Sequence, residues 1–572
     1  MNSASTTWLD LLKGQVKVGL LMLLLFANTH LLGMACVPCV GVPPPPVSIW
    51  TLVADLYATS CIGTLISNSQ LPFVITVPGI YTLCEDLHWP GPGPAIFVDT
   101  STSLAPTLIN MACHRLTSTG DGIGTTPGFE GVYSVFNGTI ELLGLGTAIQ
   151  GIVQNVDNVQ LIGAAGFSTG GIVPINTLSA NAGVTTRIRN CDFRQLSLAI
   201  DLLAGAFDQT LEIDNCTFDG TQSTVGGSFM ILGTSNVTIR DCIFSGARGT
   251  LLSSTFNHLA IYNTVFQEVG INDAANAVSY FNLNSNTELH DCAFSNIEVF
   301  STVSNLINTN NVIISLYNTT FQSINLDSFS GTSAMIRAFN NSLLNMQNCN
   351  ICNIFINGAN PATILNILGQ ANPFHPSEVE LYDTVFQNLT LTQNSTVINI
   401  FDASVSLHRC TMDAVNNNTV GPPGVNGILA FGTNLSVEDS CFTNCIMDSY
   451  IVTVTGINLI VDNSKFLSLT NGTAVFMALG GTGVIRSNIF ESITGNGLLV
   501  HNPTALAANV SIVSNIFNNI TGTGVDIDVS VTQSVFNNIA TDVVIPYNGV
   551  TGPIISSLAV TTTTGFYTNI AN

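Results

Sequence analysis

Apolar residues in this chain recur in short units, and the units themselves repeat. The stretch "DNCTFDG" at Asp214 has near-copies in "RDCIFSG" at Arg240, "HDCAFSN" at His290 and "YDTVFQN" at Tyr382. Aligned on the recurrent large apolar residue, the anchors are Phe193, Phe218, Phe244, Phe266, Phe294, Phe321, Ile351, Phe386, Met412, Phe442, Phe466, Phe490, Phe517 and Phe536. Most steps are 22 to 30 residues, with one of 19 and one of 35. Five positions before each anchor stands an aliphatic residue or Met, from Ile188 and Ile213 to Ile512 and Val531. Two before it stands a small or amide residue, such as Cys191, Cys216, Cys242, Thr264, Asn488, Asn515 and Ser534. Inward positions along one strand are separated by even numbers. The odd step from −5 to −2 therefore places a phase flip between two short strands. Position −3 is nearly always Asn or Asp, residue types that tolerate the left-handed backbone of a tight bend. A third strand precedes most units, as in "STVINIF" (395–401) and "YIVTVTG" (450–456).

Three short strands per turn of about 25 residues, stacked turn on turn, predict an all-β fold: a right-handed parallel β-helix, or solenoid. About fourteen regular rungs are expected, preceded by irregular N-terminal coils. The Phe repeats because every rung fills the same slot of one core. A helical reading is weak, because Val, Ile, Thr, Asn and Gly dominate and no long segment outside the N-terminus keeps a 3.6-residue period.

Composition narrows the surface chemistry. Charged residues are only 8% of 572, while 46% are apolar. Such a chain packs, and its polar face is built from Asn, Ser, Thr and Gly. The net charge of −23, with 12 Lys plus Arg, excludes the basic stripe that nucleic-acid binding requires. It also disfavours adhesion to anionic membranes through a polybasic patch.

The organisation expected is a signal peptide at 1–35, a Cys/Pro-rich linker and cap at 36–70, irregular first coils at 71–166, regular helix at 167–545 and a cap or tail at 546–572. Lys13 and Lys17 precede the apolar run 18–33, and Gly33-Met34-Ala35 is a small-x-small cleavage triplet. At about 16 residues the run is short for a membrane span. No transmembrane segment is expected beyond it. Cleavage after Ala35, lipidation at Cys36 and retention as an anchor all stay open. Cys36 and Cys39 have CxxC spacing, but four prolines follow where a redox motif would need a helix. Cys191, Cys216 and Cys242 fall in one slot of three successive rungs, and read as reduced, buried small hydrophobes rather than metal ligands.

On these residues the chain resembles the right-handed parallel β-helix (pectin-lyase-like) superfamily, which includes pectate lyases, polygalacturonases, phage tailspikes and many bacterial surface proteins. "PFVITVPGIYTLCEDL" (72–87) resembles the opening of its secreted bacterial members. The resemblance is to architecture and does not set an activity. Its lyases place calcium-binding carboxylates and a basic residue on one outer face, and its polygalacturonases use paired Asp and a Gly-His-Gly segment. This chain has no Asp-Asp pair and no Gly-His-Gly.

Glycoside hydrolysis needs two carboxylates flanking the bond. Asp526 and Asp528 share a strand face by parity, and His501 lies one or two rungs away. These three are the catalytic candidates. His114, Arg115 and Asp121 in "HRLTSTGDGIG" form a second polar cluster, which also reads as a plain turn. Arg187, Arg189 and Arg194 could hold a sulfate or uronate, or pair with nearby acids such as Asp192. No cofactor and no metal site is expected. The function expected is a secreted or cell-surface (outer-envelope) β-helix acting as adhesin, glycan-binding or structural component without catalysis. Its partner would be a polysaccharide or a host or envelope surface protein. The alternative is a polysaccharide lyase or glycoside hydrolase on the same fold. The oligomeric state is left open.

Overall fold

The computed structural model describes residues 63–571, except for 101–106, 126–130, 175–184, 202–208, 221–229, 370–376, 418–425, 502–507, 556–568 and some shorter loop segments. The signal-like run, the Pro-rich linker and the Cys36/Cys39 pair lie outside the described residues. The described part is a parallel β-solenoid: each strand pairs in parallel with its equivalent one turn earlier and one turn later. The turn is of the right-handed type that parallel crossovers nearly always take. The one helix among the described residues is a 3-10 turn at Asn68–Gln70.

The anchor column is continuous. Phe193, Phe218, Phe244, Phe266, Phe294 and Phe321 pair rung to rung. Their rings stack at centroid distances from 4.3 to 5.1 Å, close to the strand spacing of about 4.8 Å. Ile351, Phe386 and Met412 interrupt the stack, and Phe442, Phe466, Phe490 and Phe517 resume it. Upstream, the column continues through Leu161, Ile140, Leu116 and Leu87.

The last anchor differs from the sequence reading. Ala540, not Phe536, pairs with Phe517, and Phe536 pairs with Val513 on the outer side. "SVFNNIA" copies the local wording of "SNIFNNI", but its slots are filled four residues later, by Val535 at −5 and Asn538 at −2. The resulting step of 23 residues is ordinary, whereas the step of 19 was not.

Every −3 residue in the fourteen rungs has positive φ, from Asn190 (52°) to Asn537 (57°). A second left-handed column stands two residues after each anchor, with Asn296, Asn353, Asn388, Asn444 and Asn519 among its members and Gly220 and Gly246 in two early rungs. Asn and Asp also serve a second purpose. Their side chains hydrogen-bond from rung to rung, as when the Asn215 amide donates to Asn190 at 2.8 Å and Asn318 to Asp291 at 3.0 Å. Where Arg409 takes the −3 position, it replaces the amide link with a two-pronged ion pair to Asp383, 2.7 Å on each prong.

Inside, position −2 changes chemistry along the axis. Cys191, Cys216 and Cys242 are buried and free, and each thiol donates to a backbone carbonyl, Cys242 to Arg240 at 3.0 Å. Burial pushes the Cys216 thiol pKa well up, and its two thiol neighbours add to this. Toward the C-terminal end the slot is an amide ladder. The backbone N–H of Asn488 donates to the Asn515 side chain at 2.9 Å, and that of Asn515 to the Asn538 side chain at 2.9 Å. All three are fully buried, so these bonds satisfy groups that would otherwise be costly to desolvate.

Candidate functional site

The structure brings His501 and Asp528 together. Leu499 and Val500 pair with Asp526 and Ile527 across adjacent rungs, and His501 Nδ1 lies 3.4 Å from Asp528. Asp526, two residues from Asp528 on the same strand face, accepts a 2.7 Å hydrogen bond from Asn548 one rung on. The trio is thus an outer-face cluster near the C-terminal end, with His501 about half exposed.

The other polar clusters are internally paired. His114 Nδ1 lies 3.4 Å from Asp86, Arg115 bonds Glu141 at 3.0 Å, and the Asp121 carboxylate accepts from the backbone N–H of Thr147 at 2.7 Å. Arg187 pairs with Glu212 at 2.8 Å, Arg189 with Asp214 at 3.2 Å and Arg194 with Asp192 at 2.6 Å. Arg187 and Arg189 tie neighbouring strands together, Arg194 pairs within its own strand, and all three guanidiniums are already neutralised.

The most extended arrangement lies four residues before each anchor. Down successive rungs this outward column runs Arg240, Tyr262, His290, Tyr317, Gln347, Tyr382, His408 and Glu438. The rings of Tyr262, His290 and Tyr317 form one stack, at 4.9 and 4.6 Å, and Tyr382 stacks on His408 at 4.9 Å. Arg240 caps the first stack, its guanidinium carbon 5.3 Å from the Tyr262 centroid. Glu288 lies 3.4 Å from His290, and Glu438 lies 3.5 Å from His408. The parity of the strand points these side chains outward. Rung stacking then covers each ring's faces and leaves its edge to solvent. Among the described residues the hydroxyls of Tyr262, Tyr317 and Tyr382 make no hydrogen bond within the chain. The face therefore presents phenol hydroxyls, imidazole edges, amides and carboxylates at rung intervals.

The sequence reading passed over this column, although "RDC", "HDC" and "YDT" each begin with one of its members. Reading position −4 down the alignment would have found it.

On a different face, an open groove of about 430 Å3 is lined by Glu268, Gly270, Asn296, Glu298, Ser323 and Asn325. It opens where Gly270 leaves the outward column without a side chain.

No protein-family model matches this chain, and no curated protein matches it. Among solved structures it is similar to a mutant tailspike of E. coli bacteriophage HK620 in complex with a pentasaccharide, at 12% identity over 77% of this chain and 72% of that one, TM-score 0.28. It is similar to the PL6 family alginate lyase AlyGC at 10% identity over 91% and 98%, TM-score 0.23. It is also similar to the autotransporter UpaB from E. coli strain CFT073 at 13% identity over 84% and 95%, TM-score 0.25. The class rests on this chain's own strand pairing: it is a parallel β-helix.

Proposed function

We propose that this protein is a secreted or surface-exposed β-helix that binds glycan along its outer face without turning it over. The observation that carries the proposal is the outward column from Arg240 to Glu438. It offers hydroxyl, imidazole, amide and carboxylate groups in fixed register at the rung spacing, where a repeating polymer lying along the axis could meet them in sequence. Tyr and His each combine an apolar body with a polar tip, which suits the mixed surface of a sugar. The sparsely charged, amide-rich composition of the chain agrees with this reading.

The second reading is a polysaccharide lyase or glycoside hydrolase. The contact between His501 and Asp528, with Asp526 beside it, favours it. In that reading one carboxylate and the imidazole would share acid and base duties across the bond.

One experiment separates the two. The purified protein is incubated with a panel of neutral and acidic polysaccharides, with and without calcium, while retention and the release of reducing or unsaturated ends are followed. Retention without release, weakened roughly tenfold (about 1.4 kcal/mol) by Tyr317→Ala, supports the binding reading. Release of ends that is abolished by Asp528→Asn overturns it in favour of the enzyme.

A further inference from the structure

A second outer face carries features that the −4 column does not explain. The strands Ser304–Asn310, Ala334–Phe339, Thr363–Leu368, Thr396–Phe401 and Asn426–Phe431 lie side by side. One of their outward columns reads Asn308, Arg337, Asn366, Asn399 and Leu429. The next, two residues on, opens with Asn310 and continues as Phe339, Leu368, Phe401 and Phe431. A cation and a row of amides thus run alongside an apolar, mostly aromatic row.

Among the described arginines only Arg337 and Arg240, the latter capping Tyr262, make no ion pair. Arg115, Arg187, Arg189, Arg194, Arg409 and Arg486 each hold a carboxylate. Among the described residues Arg337 faces no carboxylate within ion-pair distance. Its guanidinium lies instead over the Phe339 ring, 4.3 Å from the centroid. Its Nε is covered and makes no hydrogen bond, so the part-exposed remainder of the side chain is what a ligand would meet. In a chain of net charge −23, a half-buried cation left without a counter-charge is a local inversion of sign.

The aromatic row is accessible. Phe401 is 47% exposed, and it meets Phe431 at 5.6 Å with the planes tilted by 39°. The tilt leaves ring surface open, unlike the closed stacks of the −4 column. From Arg337 to Phe431 the strip spans three rung steps, about 14 Å. The amide row is fixed by hydrogen bonds between rungs, Asn399 donating to Asn366 at 3.0 Å. A periodic, rigid surface of this kind suits a periodic ligand better than a polypeptide.

We propose that this strip is a subsite for an acidic glycan. The anionic group of one sugar would sit on Arg337, its neighbours would lie on Phe401 and Phe431, and Asn399 would flank their hydroxyls. The proposal rests on the glycan-binding reading, but it assigns a different face and a different charge.

The test is calorimetric titration of the full chain with hexagalacturonate, a heparin hexasaccharide and neutral cellohexaose. One anionic probe should bind at least tenfold more tightly than the neutral one, and which one does so assigns carboxylate or sulfate. Arg337→Gln should remove that preference, and Phe401→Ala should weaken the anionic probe at least fivefold. Should Arg337→Gln fail to fold, the wild-type protein answers instead: the anionic probe should slow phenylglyoxal modification of Arg337, mapped by mass spectrometry. Equal affinity for charged and neutral probes overturns the proposal, as does a preference that survives Arg337→Gln, or an unprotected Arg337. Hexaglutamate binding as tightly as the sugars would also overturn it, in favour of an acidic peptide. If the preference is absent while Tyr317→Ala still weakens glycan retention, only this subsite falls.

Discussion

Phe294→Ala tests the register of the whole solenoid. Phe294 is fully buried. Its ring stacks on Phe266 at 4.7 Å and on Phe321 at 4.8 Å, and meets the edge of Phe281 at 5.5 Å. Truncating a buried Phe costs about 3–5 kcal/mol, from lost transfer energy and the cavity left behind. Three aromatic partners, each contributing about 0.5–1.5 kcal/mol beyond area burial, place this site in the upper part of that range. A solenoid couples each rung mainly to its neighbours, so the loss should be local. Urea unfolding followed by far-UV circular dichroism reads the total. Hydrogen exchange of the strands at 286–328 reads the locality, with protection there falling by roughly a hundred- to several-thousand-fold. The matched control is Phe536→Ala. Phe536 copies the motif but pairs on the outer side with Val513, so its loss should stay below about 1 kcal/mol. A cost under 1 kcal/mol at Phe294, or equal costs at the two sites, would refute the register.

Two further outcomes follow from the interior and from Asp201. Asn515→Ala removes the acceptor for the Asn488 backbone N–H and the donor to the Ile485 carbonyl. With about 1–3 kcal/mol for each orphaned buried group, denaturant unfolding should show a loss of at least ~2 kcal/mol, and an unchanged midpoint would contradict the ladder. Burial raises the pKa of the Asp201 carboxyl above its ordinary value of 3.8. As pH rises from that value through the folded pKa, the unfolded chain releases its proton first, so this residue's contribution to stability falls with rising pH. Asp201→Asn should therefore gain stability relative to wild type between about pH 4 and neutrality, and a pH-independent difference in urea midpoints would count against it.

Much of the fold was legible because a solenoid repeats one local problem many times. The −5, −2 and anchor positions must fill the same slots in every rung, so Ile188, Cys191 and Phe193 predict Ile213, Cys216 and Phe218 without any knowledge of the distant chain. The bend at −3 was legible for a similar reason, since Asn and Asp mark a backbone conformation that few residues tolerate. The bend two residues after the anchor was harder to see, because Gln195, Glu268, Ser323 and Ala414 occupy it in several rungs. There the tertiary pairing holds a residue in the left-handed region that its own propensity would not select. The same competition misled the reading at Phe536, where local wording agreed with the motif but the slots were filled by Val535, Asn538 and Ala540.

The functional faces divide along the same line. The sequence alone determined that the chain is a β-solenoid with a sparsely charged, amide-rich surface and few cations, because periodicity and composition are properties of the chain itself. It also placed Asp526 and Asp528 on one face, since parity within a strand is local. Only the tertiary structure decided that His501 reaches Asp528, that Tyr262, His290 and Tyr317 share one stack, and that Arg337 lies over Phe339 with no acid to hold. Those contacts join residues roughly a rung or more apart in sequence, or depend on which neighbours a side chain finds. Such distances are set by the stacking of rungs, and the stacking is fixed by the core.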